Sequence, residues 1–384
     1  MKRLLVLTAA VCCLGAAAPA NYNAFGIAVL QRLAGQSHAE NVFLSPVSLG
    51  IALAMAADGA AGSTRTAILH ALALRATDVA PANAALIASL ESNSDARVGI
   101  ANAIWLRQDI PPSSRYVALL RRGYRAEARA VHFGDPSAAQ AINAWTRAHT
   151  LGLIDHIVDS TSPMDFAYLT NALAFKADWT APFDRGETSR QPFTDADGTK
   201  HDVQMMMQRA TFRTADLPTF RVLRLPYGKN GGYAAYILLP NGKDAAALVR
   251  GLSASAFDHA LRALRAEDVR VGLPRFTAEY QAQLEPLLEA MGMGVAFSRN
   301  ADFSPMHPPA GTIRLGSVVH KTYVRVDEQG TTAAAATSVE MRMTSVMMPP
   351  ARTFIVDHPF VMALRDERTG ALLFIGVINT VPHT

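Results

Sequence analysis

Apolar residues at Phe25, Ile27, Ala28, Val29, Leu30 and Leu33 recur at helical spacing and predict a helix over 22–34. Ser45-Pro46 places a proline just inside a second helix start, and Ser48–Ala57 continues it. Ser63-Thr64 reads as the cap of a third helix that ends near Leu74. Residues 97–107 alternate as a strand, 114–129 read as helix, and Ile142–Ile157 as another with Trp145 on its apolar side. From 165 the period falls to two, predicting strands at 165–176, 201–214, 219–226, 233–239 and 268–276. Helices are expected again at 244–250, 255–264 and 280–291. A long strand over 313–326, rich in β-branched residues, is followed near the end by a hairpin, Phe354–Leu364 and Ala371–Asn379, turning at Asp366–Gly370. Helices come first and strands later, without regular βαβ alternation. That order predicts an α+β fold with antiparallel or mixed sheets.

The stretch Asp327–Ser345 departs from every other segment. Thr331, Ala333, Ala335, Thr337, Val339, Met341 and Met343 are uncharged and grow more apolar toward the end. Thr332, Ala334, Ala336, Ser338, Glu340 and Arg342 form the alternate set and hold both charges. A period of two belongs to a strand, yet small side chains dominate both faces of the first half. A segment that must slide between existing strands needs that smallness. Pro349-Pro350 ends regular structure beyond it. The segment reads as an exposed loop tethered between two β regions and able to insert.

Half of the 384 residues are hydrophobic and 18% are charged, enough for one large core. No linker or internal repeat divides the chain. Residues 1–20 read as a secretory signal: Lys2-Arg3, apolar Leu4–Leu14, then Ala18-Pro19-Ala20 before a cut. That run is too short to span a membrane, and no other qualifies. Both cysteines, Cys12 and Cys13, lie inside it, so the mature chain would hold no disulfide. Removing Lys2 and Arg3 takes the formal charge from +4 to +2, too little to imply a nucleic-acid partner. Arg121, Arg122, Arg125 and Arg129 sit at helical spacing, a solvated basic face or a polyanion site.

Catalytic motifs are missing. There is no Gly-x-Ser-x-Gly elbow, no His-Glu-x-x-His, no phosphate-cradling loop, and no cysteine nucleophile after cleavage. The eleven histidines are scattered. Neither enzyme activity nor a metal or other cofactor is expected.

Several stretches, in family order, resemble the serpins. His320-Lys321-Thr322 and Val326–Thr337 resemble the serpin hinge; Asp357-His358-Pro359-Phe360 and Leu373–Asn379 resemble the C-terminal signature. Asn41–Leu49, Gly59–Thr64, Asn171–Trp179, Pro182–Asp184, Leu273–Phe276 and Ala301–Ser304 match as well. The resemblance covers residue 21 to the end and implies a single serpin domain over 21–384. It implies about three sheets, eight to nine helices and a reactive loop at about 328–350. It further implies a hinge at Glu328, Gly330, Thr331, Ala333, Ala334, Ala335, Ala336 and Thr337. Ser45, Ser48, Asn171 and His320 match the family's shutter, a polar cluster under the central sheet. Trp179, Arg275 and Glu328 match its breach, where the loop first enters.

The implied activity is suicide-substrate inhibition of a serine or cysteine protease by a monomer resembling a secreted or periplasmic bacterial-type member. The alternative is a carrier or chaperone of the same fold. Two residues depart from the family pattern: Thr332 and Arg224 each stand where glutamate is usual. The run Ala333–Ala336 keeps its small residues, which favours an inhibitor. Counting the family's usual loop length from Glu328 implies a scissile bond at Thr344–Ser345, suiting an elastase-like or small-pocket protease, and counting back from Phe354 moves it by about one residue. Met343 would suit a chymotrypsin-like or elastase-like target, and Arg342 a trypsin-like one.

Overall fold

The computed structural model describes residues 17–36, 39–75, 79–331 and 351–382. Their strands join into two sheets. The larger has the order β1 (Val42–Leu44), β15 (Leu372–Ile378), β14 (Phe360–Asp366), β8 (Tyr233–Pro240), β7 (Phe220–Tyr227), β6 (Lys200–Asp216), β9 (Arg265–Pro274) and β13 (Arg352–Ile355). β5 (Ser189–Thr194) pairs with the first part of β6. The 17-residue β6 belongs to two strand groups at once, so two of the three expected sheets run together through it. Its end pairs with β7, and its middle with β9.

The second sheet has the order β10 (Phe276–Gln283), β11 (Ser317–Val326), β12 (Gly330–Thr331), β4 (Ala167–Asp178), β2 (Arg97–Arg107) and β3 (Glu127–Val131). β10–β11 and β2–β4 are antiparallel. β4 and β11, in the middle, are parallel: Ser317–Tyr323 pair with Tyr168–Ala174 in unbroken register.

Eight helices of seven or more residues occur among the described residues: α1 (Ala17–Ala34), α2 (Pro46–Asp58), α3 (Gly62–Ala71), α4 (Val79–Ser92), α5 (Ser114–Tyr124), α6 (Pro136–His149), α7 (Ala245–Gly251) and α8 (Ala254–Ala263). A distorted ninth runs over 285–297 and breaks at Gly292, φ 95°. α2 starts as expected: the Ser45 hydroxyl accepts from the Ser48 N–H, and Pro46 occupies the first turn. Nearly every residue of α2 is buried, and it lies behind the second sheet. α6 covers the opposite face, over Ala101, Ala103, Trp105, Ala172 and Val319. Strand parity therefore sends Asn102, Asn171 and His320 toward α2. Among the described residues no helix is long and apolar enough to cross a membrane.

Several expected elements move. The helix expected over 114–129 stops at Tyr124, because Arg125 turns left-handed (φ 47°), and Glu127–Val131 is a strand. The expected basic face dissolves with it, since Arg125 pairs with Glu91 and Arg129 with Glu127. Ser63-Thr64 does not cap α3; the Thr64 hydroxyl instead accepts from the Asp302 N–H at 2.9 Å. The expected helix 142–157 lies earlier, at Pro136–His149. Residues 276–283 are an edge strand, displacing the expected helix at 280–291. The strand expected over Phe354–Leu364 breaks at Asp357-His358-Pro359 into β13 and β14.

Candidate functional site

The parallel pair β4–β11 is the centre of the site. Parallel ladders are slightly weaker per residue than antiparallel ones. A strand placed between these two, running opposite to both, would exchange one parallel ladder for two antiparallel ones. The first residues of such a strand are in place. Thr331 pairs with Val326 of β11 and with Ala177 of β4, and Gly330 pairs with Asp178. Below this point the seam is shut.

Gly330 is required by space. A Cβ there would lie 2.1 Å from the Ala177 carbonyl oxygen. Thr331 is fully buried, and its hydroxyl hydrogen-bonds the Tyr227 hydroxyl. Tyr227 stacks on Trp179 with ring centroids 4.2 Å apart, and the Trp179 indole N–H donates to the Asp327 carbonyl at 2.9 Å. The Trp179 and Phe183 amides donate to the Gln329 and Glu328 carbonyls. The turn entering β12 is thus fastened at every residue from Asp327 to Thr331.

Glu328, 2% exposed, accepts from Arg275 and, at 2.8 Å, from the Thr188 hydroxyl. Burial pushes its carboxyl up, but donation from Arg275, from its own backbone and from Thr188, with the Arg275 charge, outweighs burial and holds it below the usual carboxylate range. The expected breach residues Trp179, Arg275 and Glu328 are therefore brought together.

The four expected shutter residues also converge. Asn102, Asn171 and His320 are register partners across β2, β4 and β11, a polar row through an apolar sheet. The His320 Nε2 accepts from the Ser45 N–H at 3.0 Å, which leaves Nδ1 to donate to the Asn171 Oδ1. That bond orients the Asn171 amide, whose Nδ2 donates to Ser48 Oγ and Asn102 Oδ1, both at 2.6 Å. Burial pushes the His320 imidazole down to about 3, so it is neutral at pH 7. Asn102, missed by sequence reasoning, is the row's third member, and its own Nδ2 is buried without a partner. The signal was a lone amide in the strand 97–107. Tyr227 and Thr188 were also missed.

Arg224 lies elsewhere, bonded to Glu367 at 3.3 Å and to the Gly231 carbonyl at 3.2 Å. The expected hinge residues Ala333, Ala334, Ala335, Ala336 and Thr337, and the scissile-bond residues Arg342, Met343, Thr344 and Ser345, lie outside the described residues.

A parallel central pair with an antiparallel stub seated at one end, over a polar row, is the arrangement that the resemblance to the serpins implied. The chain belongs to the serpin family: the model described as "Serpin (serine protease inhibitor)" matches residues 20–381. An uncharacterized serpin-like protein of Thermococcus kodakarensis is 35% identical over 362 residues, covering 92% of this chain and 83% of that one. Serpin-Z1C of Triticum aestivum is 32% identical over 372 residues, covering 90% and 91%. Among solved structures, native tengpin, a thermophilic serpin, superposes with a TM-score of 0.85 at 29% identity, covering 94% of each chain. Human thyroxine-binding globulin, solved in complex with thyroxine, gives 0.89 at 26%, covering 96% of this chain and 100% of that one. The two sequence relatives named above are an archaeal and a plant protein, and they lend no support to the expected secreted or periplasmic bacterial-type member.

Proposed function

We propose that this serpin is a suicide-substrate inhibitor of serine proteases. The observation that carries the reading is the seated stub: Gly330 and Thr331 already lie between β4 and β11 at the top of a closed parallel seam. Thr331 faces Tyr227, so in an inserted strand alternation would turn Ala333 and Ala335 toward the same side, where small residues would fit.

A target protease attacks the loop carbonyl at Thr344, or at Met343 or Arg342, and releases the amine of the following residue. The carbonyl carbon is left esterified to the protease serine. The freed segment then inserts between β4 and β11. About 13 residues at ~3.3 Å each move the tethered protease by roughly 43 Å. The intact form is held by a barrier rather than by equilibrium. Asn171–His320, bridging the seam, and Arg275–Glu328, pinning the turn, are the contacts that set this barrier. The protein itself performs no turnover. Residues 1–20 act as a signal that sends it out of the cytoplasm, and it works as a monomer.

A carrier function is the second reading, favoured by the superposition on thyroxine-binding globulin. Incubation with a panel of serine and cysteine proteases separates the two. An inhibitor gives an SDS-resistant adduct, and sequencing the released C-terminal peptide fixes the cleaved bond. A carrier gives cleavage without an adduct, and that result across the panel would sink the inhibitor reading.

A further inference from the structure

Arg224 lies away from the seam, in a pocket crowded with cationic side chains. Arg213 of β6, Arg224 of β7 and Tyr236 of β8 are register partners, forming a row across three adjacent strands. Like charges directly opposite on an antiparallel pair repel, so this placement needs a compensating anion. Glu367 supplies one. It accepts from Arg224 at 3.3 Å, from Arg365 at 2.9 Å and from the Tyr236 hydroxyl at 3.0 Å. Its capacity is then spent on Arg224 and Arg365.

Arg213 faces the same pocket with no side-chain partner among the described residues, and so does Arg262 of α8. The pocket, open to solvent, offers about 390 Å³ beside α8 and the sheet. Four arginines against Asp258 and Glu367 leave its lining with a formal charge of +2. Leu261, Leu264 and the Tyr236 ring add an apolar wall. A volume of this size suits a small organic molecule. Guanidinium is the side chain best matched to phosphoryl oxygens.

We propose that this pocket binds a small phosphate monoester, its dianionic head held by Arg213 and Arg262 and its body lying along Leu261 and Tyr236. A phosphate monoester carries close to two charges at neutral pH, which matches the lining. Glu367 keeps Arg224 and Arg365 in place beneath it. The inference stands apart from protease inhibition, since none of these residues touches the seam between β4 and β11.

Isothermal titration of the full-length protein at pH 7.5 tests it, with phenyl phosphate, phenyl sulfate and inorganic phosphate as probes. Phenyl phosphate is expected to bind one-to-one, at least tenfold tighter than the monoanionic sulfate and tighter than inorganic phosphate, which lacks the ring. Arg213→Gln and Arg262→Gln, both at exposed positions, should each weaken it about tenfold while leaving the melting temperature unchanged. No saturable binding at millimolar phenyl phosphate overturns the proposal. So does equal affinity for phenyl sulfate, or binding that survives the double variant with both arginines replaced.

Discussion

The His320 imidazole and the Asn171 amide are register partners on two parallel strands, and their hydrogen bond crosses the seam between them. Both side chains are fully buried. A strand inserted here would set the two parent strands twice the usual ~4.8 Å spacing apart, which that bond cannot span. The bond is a latch on the closed sheet.

The latch has a pH signature. Burial pushes His320 down to about 3 from an ordinary value of 6.5. Above pH 6.5 the ring is neutral in both folded and unfolded chains, and its stabilisation is fully present. As pH falls below 6.5 the unfolded chain takes up a proton that the folded one refuses. Stability from this group should therefore fall by about 1.4 kcal/mol per pH unit, down to about pH 3. Urea unfolding between pH 7.5 and 4.5 checks this. His320→Gln should show a shallower slope over that range; an identical slope would remove His320 from the account.

Gly330→Ala should unseat the stub. The added methyl meets the Ala177 carbonyl oxygen at 2.1 Å and the Asp178 Cα at 2.7 Å, backbone atoms of β4 that cannot swing away. A loss of roughly 1–3 kcal/mol is expected. The fluorescence of Trp179, stacked on Tyr227 and bonded to the Asp327 carbonyl, should change with it. A variant with unchanged melting and emission would mean that Gly330–Thr331 is not held in the sheet.

Arg275→Ala leaves a 2% exposed carboxylate at Glu328 without its cation. The Arg275 side chain is 40% exposed, so the loss is smaller than for a fully buried pair, roughly 1–3 kcal/mol at pH 7. The sign with pH is fixed. The Glu328 carboxyl is held below its ordinary range, so its contribution is present above the unfolded carboxylate value and fades as pH falls through the folded one. The gap between wild type and variant should thus narrow on acidification, as read from denaturant midpoints at pH 7.5 and 4.

Asp95 is a further target. Its carboxylate accepts from the Lys229, Asn230 and Gly232 amides and from the Asn230 side chain, fastening the turn that follows Tyr227. Asp95→Ala should cost about 2 kcal/mol and raise hydrogen exchange at those amides first. Exchange that rises everywhere equally would point to a global effect instead.

The parts of the fold that alternate or repeat were legible. The strand at 97–107 came out with its ends, and α2 with its proline and Ser45 cap, because both patterns are local. The shutter and breach residues stood out through resemblance, and contacts such as Asn171–Ser48 and Trp179–Asp327 link positions more than a hundred residues apart. What failed had tertiary causes. Arg125 ends a helix by a left-handed turn that no periodicity announces. Residues 276–283 became an edge strand by pairing with β11, which overrode their helical reading. Asn102 went unnoticed because one amide in an apolar strand acquires meaning only beside Asn171 and His320.

Thr331 sits with its neighbours on either side already assigned. A strand slipped by one residue would turn every side chain to the wrong face. A loop arriving from solvent would have to search among such alignments. Under the proposed insertion the alignment is settled at Thr331 in advance, and only the opening of the seam below is left to set the timing.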